Sequence, residues 1–331
     1  MNAIAFLRSL GRDNRARRER RRNLAMDLGL YLGNRLLQPL DSLAARWYSS
    51  HERPVVFIVG APRSGTTLAY QLAVRHLPLA YVDNVTARFW MAPTLGALLP
   101  LGRWSATDRS SIALDSVLGS SPGLRGPHEF SYFWQHWLGE HPTDELTPDE
   151  LERADWAGID RKLRAIAGVF RAPLVVKSIN FVDYHVGWLA DRQPRYRFAW
   201  MDREPLYAVQ SILESRRLRY GSESTWWSVR PRDVELWRDA SPMEQVCHQV
   251  SHVRRALEAA FESLPETRRL VLRYADLVAD PRSGLERLAR LAGVEPPEAA
   301  LSALPALENR DRWRRSEDER RMAMRLLEAS P

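Results

Sequence analysis

The sequence predicts an α/β fold in three layers, a central parallel sheet with helices on both faces, preceded by an N-terminal helical arm. Three observations carry that expectation. Short apolar runs rich in β-branched residues alternate with longer helix-compatible segments, the pattern of buried parallel strands and their crossovers. The first run, Val55-Val56-Phe57-Ile58-Val59, closes on Gly60 and passes through a tight turn into the helix-forming Leu68-Ala69-Tyr70-Gln71-Leu72. Later runs end on Lys177 or just before Arg203, so charged residues collect at the edge where open parallel sheets bind ligands.

Each element has its own signal. Residues 1–48 form the basic, helical arm, in which Leu24, Leu28, Leu32, Leu36 and Leu40 recur at i+4 as an apolar stripe. Two readings of the stripe stand: packing on the domain or on a second subunit, which makes a homo-oligomer, or a peripheral contact with an anionic membrane. One catalytic domain is expected over 49–331. Strands are expected at 55–59, 79–82, 174–177, 196–201 and 269–273. Residues 84–140 hold an apolar stretch, a Ser/Gly/Pro-rich loop at 105–127 and an aromatic helix with Phe130, Phe133, Trp134 and Trp137; they read as a lid and acceptor segment. Helices are expected from 144–149 to about 170, over 182–191, over 206–219 behind Pro205, over 243–263, and over 281–291 with Gly293 as C-cap. Residues 220–240, with Trp226, Trp227 and Trp237, read as an insertion, and residues 309–327 as a basic helical tail.

Composition narrows the function. The 331 residues are 45% hydrophobic, enough for a sizeable core, and a lone Cys247 rules out an internal disulfide. Residues 1–22 hold eight arginines against Asp13 and Glu19, a net of +6, while the rest carries +1 of the total +7. The body is therefore no general polyanion binder, and no specific nucleic-acid partner is expected. No apolar run reaches the ~18 residues of a membrane span. A cytoplasmic chain, membrane-associated at most through its arm, is the expectation. Only Lys162 and Lys177 are lysines, which draws attention to the one at a strand end.

The chemistry starts at Gly60-Ala61-Pro62-Arg63-Ser64-Gly65-Thr66-Thr67. Glycines five apart allow a loop whose backbone N–H groups and following helix N-terminus cradle a phosphate. In a nucleoside-triphosphate-binding P-loop a lysine follows the second glycine. Here Thr66 stands there and the cation is Arg63, so the loop is P-loop-like but suited to a different phosphate-bearing donor. A P-loop kinase or NTPase using Asp202 for a metal is the rival enzyme. A non-enzymatic binding protein on a decayed transferase core is the other alternative.

Pro62-Arg63-Ser64-Gly65-Thr66-Thr67, Val176-Lys177-Ser178, Met201-Asp202-Arg203-Glu204-Pro205 with Ser211, and Arg273-Tyr274-Ala275-Asp276 through Pro281 together resemble the sulfotransferases that use 3′-phosphoadenosine 5′-phosphosulfate (PAPS), nearest their bacterial and tyrosylprotein-type branch. The resemblance spans roughly 54–295. It implies that Arg63, Ser64, Gly65, Thr66 and Thr67 hold the 5′-phosphosulfate, that Arg203 and Ser211 grip the 3′-phosphate, and that Lys177 approaches the bridging oxygen. It also implies a hydroxyl-bearing acceptor, adenosine 3′,5′-bisphosphate as product and no metal requirement. Sulfonate transfer needs placement and charge stabilisation in a loose in-line transition state, which cations supply.

A general base must also face the acceptor hydroxyl. The chain departs from the family here: Asn84 stands near the glutamate of one branch and Ile179 at the histidine of the other. Glu129 and His128, in Gly126-Pro127-His128-Glu129-Phe130, are the first candidates, followed by Asp83 and His185. Trp313 and Arg314 in the tail are candidate donor contacts.

Overall fold

The computed structural model describes residues 24–50, 52–99, 109, 112–115, 121–177 and 180–329. In chain order the elements are α1 (Leu24–Tyr48), β1 (Val55–Val59), α2 (Thr66–His76), α3 (Pro93–Leu98), α4 (Ser131–Leu138), α5 (Pro148–Glu152), α6 (Trp156–Phe170), β2 (Leu174–Lys177), α7 (Asn180–Tyr184) and α8 (Val186–Arg192). They continue with β3 (Tyr196–Asp202), α9 (Pro205–Tyr220), α10 (Pro242–Ser263), β4 (Arg269–Arg273), α11 (Tyr274–Ala279), α12 (Pro281–Ala292), α13 (Glu298–Ser302) and α14 (Glu317–Ala329).

The described strands form one parallel sheet in the order β2-β1-β3-β4, with Phe57 opposite Val176 on one side and Phe198 on the other. Period-two alternation splits the core in two. Val55, Phe57, Val59, Phe198 and Trp200 face a layer containing α6, α9 and α10; Val56, Ile58, Ala199 and Met201 face α2, α11 and α12. Every residue of β1 is buried, as a central strand covered on both faces requires.

The structure corrects several sequence expectations. Residues 79–82 form no strand. Ala80 makes a single parallel bridge to Leu174, and the chain then leaves the sheet to pair antiparallel with the 126–128 segment, His128 N–H donating to the Val82 carbonyl at 2.9 Å. The helix expected over 182–191 is two, α7 and α8, because the backbone leaves helical geometry at His185 (φ −122°, ψ 22°), whose ring accepts the Leu146 N–H at 2.9 Å. The charged helix from 144–149 to 170 is also two, with Thr147 and Glu150 capping α5 reciprocally and Asp155 capping α6. The tail runs without regular structure to its helix at Glu317.

α1 differs most from its expected role. The face that packs on α6 and α3 carries Tyr31, Asn34, Asp41 and Ala45, not the leucine stripe. Asn34 donates to the Arg88 carbonyl at 2.7 Å and accepts from Met91 N–H at 2.9 Å; Asp41 accepts from Leu95 N–H at 2.8 Å and pairs with buried Lys162. The arginine-rich residues 1–22 lie outside the described residues.

Candidate active site

Gly60 and Gly65 shape the loop after β1. Gly60 has φ +153°, and a Cβ there would lie 2.6 Å from Ser64 Oγ and 2.7 Å from the Met201 carbonyl. Gly65 has φ +97° and passes the Tyr274 ring, 2.7 Å from a hypothetical Cβ. Both positions need glycine. Arg63 between them also takes a left-handed conformation, φ 70°, which is costly for an arginine and is found where a loop is held by its surroundings. The Gly60 N–H donates to Asp183 Oδ1 at 3.0 Å, tying the loop to α7. Among the described residues, Ser64 Oγ is buried without a hydrogen-bond partner and no side chain caps the start of α2 at Gly65.

The cations gather on one side of this loop. Arg63 Nε donates to Ser211 Oγ at 2.9 Å. Arg203 Nη1 donates to the Arg63 carbonyl at 2.7 Å, its Nε donates to Asp311 at 2.7 Å, and its guanidinium lies over the Tyr274 ring, 4.6 Å from the centroid. Burial, then the nearby Arg203 and Arg310 charges, hold the Arg63 guanidinium below its ordinary value. A cluster of partly desolvated, mutually repelling cations is an anion site by its electrostatics.

The opposite wall carries the other predicted groups. Lys177, at the end of β2, forms an ion pair with Glu129. Glu129 is held by its neighbours: Phe130, at φ 60°, starts α4 and stacks on Phe133 with centroids 4.4 Å apart, and its N–H donates to His128 Nδ1 at 2.8 Å. Burial pushes the His128 imidazole down; Glu129 opposes that and Lys177 adds to it.

All these groups line one cleft of about 1280 Å³ at the carboxyl edge of the sheet: Gly60, Arg63, Gly65, Thr66, Thr67, His128, Glu129, Lys177, Arg203 and Ser211. Ser64 lies just beneath it, buried. The two weaker candidates, Asp83 and His185, fall outside the lining and have structural partners, as does Asn84, which stands near the family's glutamate position. Asp83 accepts from Thr86 N–H at 2.7 Å, His185 accepts from Leu146, and Asn84 donates to the Ser121 and Gly123 carbonyls at 3.0 and 2.6 Å. Asp202, the metal-binding candidate of the rival reading, pairs with Arg254 at 3.1 Å and is also outside the lining. Ile179, and Trp104 of the lid and acceptor segment, are not among the described residues.

Of the other aromatics, Trp90 and Phe133 belong to the core, Trp134 and Trp227 are core residues that also border the cleft, and partly buried Tyr132 lines it. The indole N–H groups of Trp134 and Trp227 are buried and have no hydrogen-bond partner among the described residues. Arg314 lines the cleft, and its N–H donates to Gln210 at 2.6 Å; Trp313 packs against the core instead.

Sequence reasoning missed Tyr274, Asp311, Asp183 and Gln210. Tyr274 lay inside a recognised motif without a role. Asp311 and Asp183 act across 108 and 123 residues of chain, and no local pattern marks such contacts.

A family model described as the sulfotransferase family matches residues 54–298. Among curated proteins, omega-hydroxy-beta-dihydromenaquinone-9 sulfotransferase Stf3 of Mycobacterium bovis and its counterpart in Mycobacterium tuberculosis are each 25% identical over 275 residues, 76% of this chain. The chain spans 66% of those relatives, just under two thirds of their length. Among solved structures, sulfotransferase STF1 of Mycobacterium tuberculosis shares the fold, with a TM-score of 0.54 at 17% identity over 85% of this chain and 80% of its own. Sulfotransferase STF9 of Mycobacterium avium gives 0.47 at 17% identity, over 76% and 67% respectively. With the match to the family model running from the first strand past the last, the chain belongs to the sulfotransferase family.

Proposed function

We propose that the chain transfers a sulfonate from PAPS to the hydroxyl of an acceptor by in-line displacement. The observation that carries this reading is the convergence of Arg63, Arg203, Ser211, Lys177 and Glu129 on one cleft, cations along the loop side and a carboxylate facing them. The Ser64 Oγ and the α2 start, without side-chain partners among the described residues, and the tight glycine turn that brings the backbone N–H groups to the cleft fit a phosphosulfate. Arg203, with Ser211 close by through Arg63, would hold the 3′-phosphate, and Tyr274 sets the guanidinium plane.

In this reading Glu129 takes the proton as the acceptor oxygen bonds to sulfur. The S–O bond to the 5′-phosphate breaks, and its electron pair stays on the phosphate oxygen. Lys177 and Arg63 stabilise that charge as it develops. Glu129 is favoured over His128 because the His128 Nδ1 is engaged by the Phe130 N–H and burial keeps the ring a poor base.

The curated relatives are named for an omega-hydroxylated dihydromenaquinone. That name, and a wall containing Tyr132, Trp134, Leu138 and Trp227, support a lipid alcohol as the acceptor class. The test is transfer of radiolabelled sulfonate from PAPS to hydroxylated isoprenoid quinones in detergent, beside carbohydrate and phenol acceptors. Label on the quinone alone supports the acceptor class, label on another acceptor replaces it, and label on none refutes the transfer itself for these classes. Asp202 lying in an ion pair outside the cleft, and Thr66 in place of a P-loop lysine, both weigh against the kinase alternative.

A further inference from the structure

α1 presents an apolar surface where a helix usually carries charge. Leu36 and Trp47 are each 78% exposed, Leu43 63%, Leu40 59% and Leu32 52%, with Leu28 in line at the helix start. At 3.6 residues per turn, these six fall within an arc of roughly 120° and run roughly 28 Å along the helix. A loosely attached helix is not the cause. The Asn34 and Asp41 bonds described above lock the rotation of α1, so the leucines are held outward.

The charges around the stripe share one sign. Arg35 and Arg46 are exposed at its border, while Asp41, one of the two acids on the helix, is buried beneath it. The 22 residues of chain leading to α1 carry the net +6. Exposed leucines, an interfacial tryptophan and flanking arginines, without an exposed acid on the stripe, match a surface that is apolar inside and negative at its boundary.

We propose that the leucine face of α1, with Arg35 and Arg46 at its border, is a docking surface for an anionic lipid bilayer, with α1 lying in the plane of the interface and the +6 of the preceding sequence adding to the attraction. An acidic lipid surface complements the arginines, whereas a second copy of the chain brings the same +6. No described helix is long and apolar enough to cross a membrane, so the contact is peripheral. The proposal stands independently of the acceptor and of the sulfonate chemistry.

The experiment is flotation of the full chain with phosphatidylcholine vesicles and with vesicles containing phosphatidylglycerol. It compares the parent, the double variant Leu36→Glu/Leu43→Glu and a chain lacking residues 1–22, with thermal melting as the fold control. The parent is expected to float with the anionic vesicles and to be partly released by salt. The double variant should bind at least ~10-fold less with its melting unchanged, and the shortened chain should lose the salt dependence. Three results would overturn the proposal. The first is no difference between the vesicle types. The second is a parent dimer, by light scattering, that the double variant dissolves, which assigns the face to a second copy. The third is stronger binding of the shortened chain to neutral vesicles, which assigns the face to residues 1–22 themselves.

Discussion

Replacing Lys177 with methionine removes a charge while keeping an unbranched chain of similar length. The structure separates its effect on folding from its effect on turnover. The Lys177 side chain is 12% exposed, but its partner Glu129 keeps 30% of its side chain in solvent. A pair so placed contributes about 0–1 kcal/mol to stability, because water screens the carboxylate both before and after the change. The melting temperature should fall by no more than a few degrees. In the reaction the same ammonium faces charge developing on the leaving oxygen in a cleft with less water. Losing one such preorganised group costs roughly 3–4 kcal/mol, or about 10²–10³ in kcat. Steady-state kinetics with the best acceptor, beside nucleotide titration, measure both quantities. The expected pattern is a kcat lower by two to three decades, with adenosine 3′,5′-bisphosphate affinity within about threefold. A kcat within threefold of the parent, or losses in affinity and kcat of equal size, would refute the role given to Lys177.

Glu129→Gln should lower kcat by about 10²–10⁴, whereas His128→Gln should leave kcat within about tenfold of the parent. If the two outcomes are reversed, the base is His128. Gly65→Ala forces a side chain into φ +97° and to 2.7 Å from Tyr274; strain and overpacking together destabilise by roughly 2–4 kcal/mol, seen in chemical denaturation, and displace the ring that supports Arg203. An unaffected protein would show that the loop is looser than this geometry. His185 is held down to about 4, chiefly by burial, so its neutral ring accepts the Leu146 N–H. Its folded value lies below the unfolded one near 6.5, so the unfolded chain binds more protons in between. Stability is therefore complete above about pH 6.5 and is lost as pH falls toward 4, by up to about 3 kcal/mol from this ring. Denaturation of His185→Gln at pH 7 and pH 4.5 should show a smaller pH-dependent loss than the parent, and an equal loss removes the assignment.

The sheet was legible because buried parallel strands leave continuous apolar runs, and four of the five expected runs are strands. Residues 79–82 have the same composition. What removes them is the later antiparallel pairing with residues 126–128, a contact invisible in a short window. Periodicity likewise found the leucine stripe of α1 but not which face would pack. That was decided by Asn34 and Asp41, whose partners lie 54–121 residues away. In the site, residues fixed by strand ends and by the glycine loop were readable: Arg63, Lys177 and Arg203 line one cleft, as the shared sheet edge dictates. The supporting groups, Tyr274 behind Gly65, Asp311 on Arg203 and Asp183 on Gly60, exist only once the chain has folded back on itself.

The account rests on an anionic nucleotide held by Arg63 and Arg203 at one sheet edge, and calorimetric titration of adenosine 3′,5′-bisphosphate in magnesium-free buffer tests it most directly. Saturable binding by the parent is predicted, weakened about 30-fold in Arg203→Ala by the loss of a charge-assisted contact of roughly 2 kcal/mol. Binding that requires magnesium, or equal affinity in the two proteins, would contradict it.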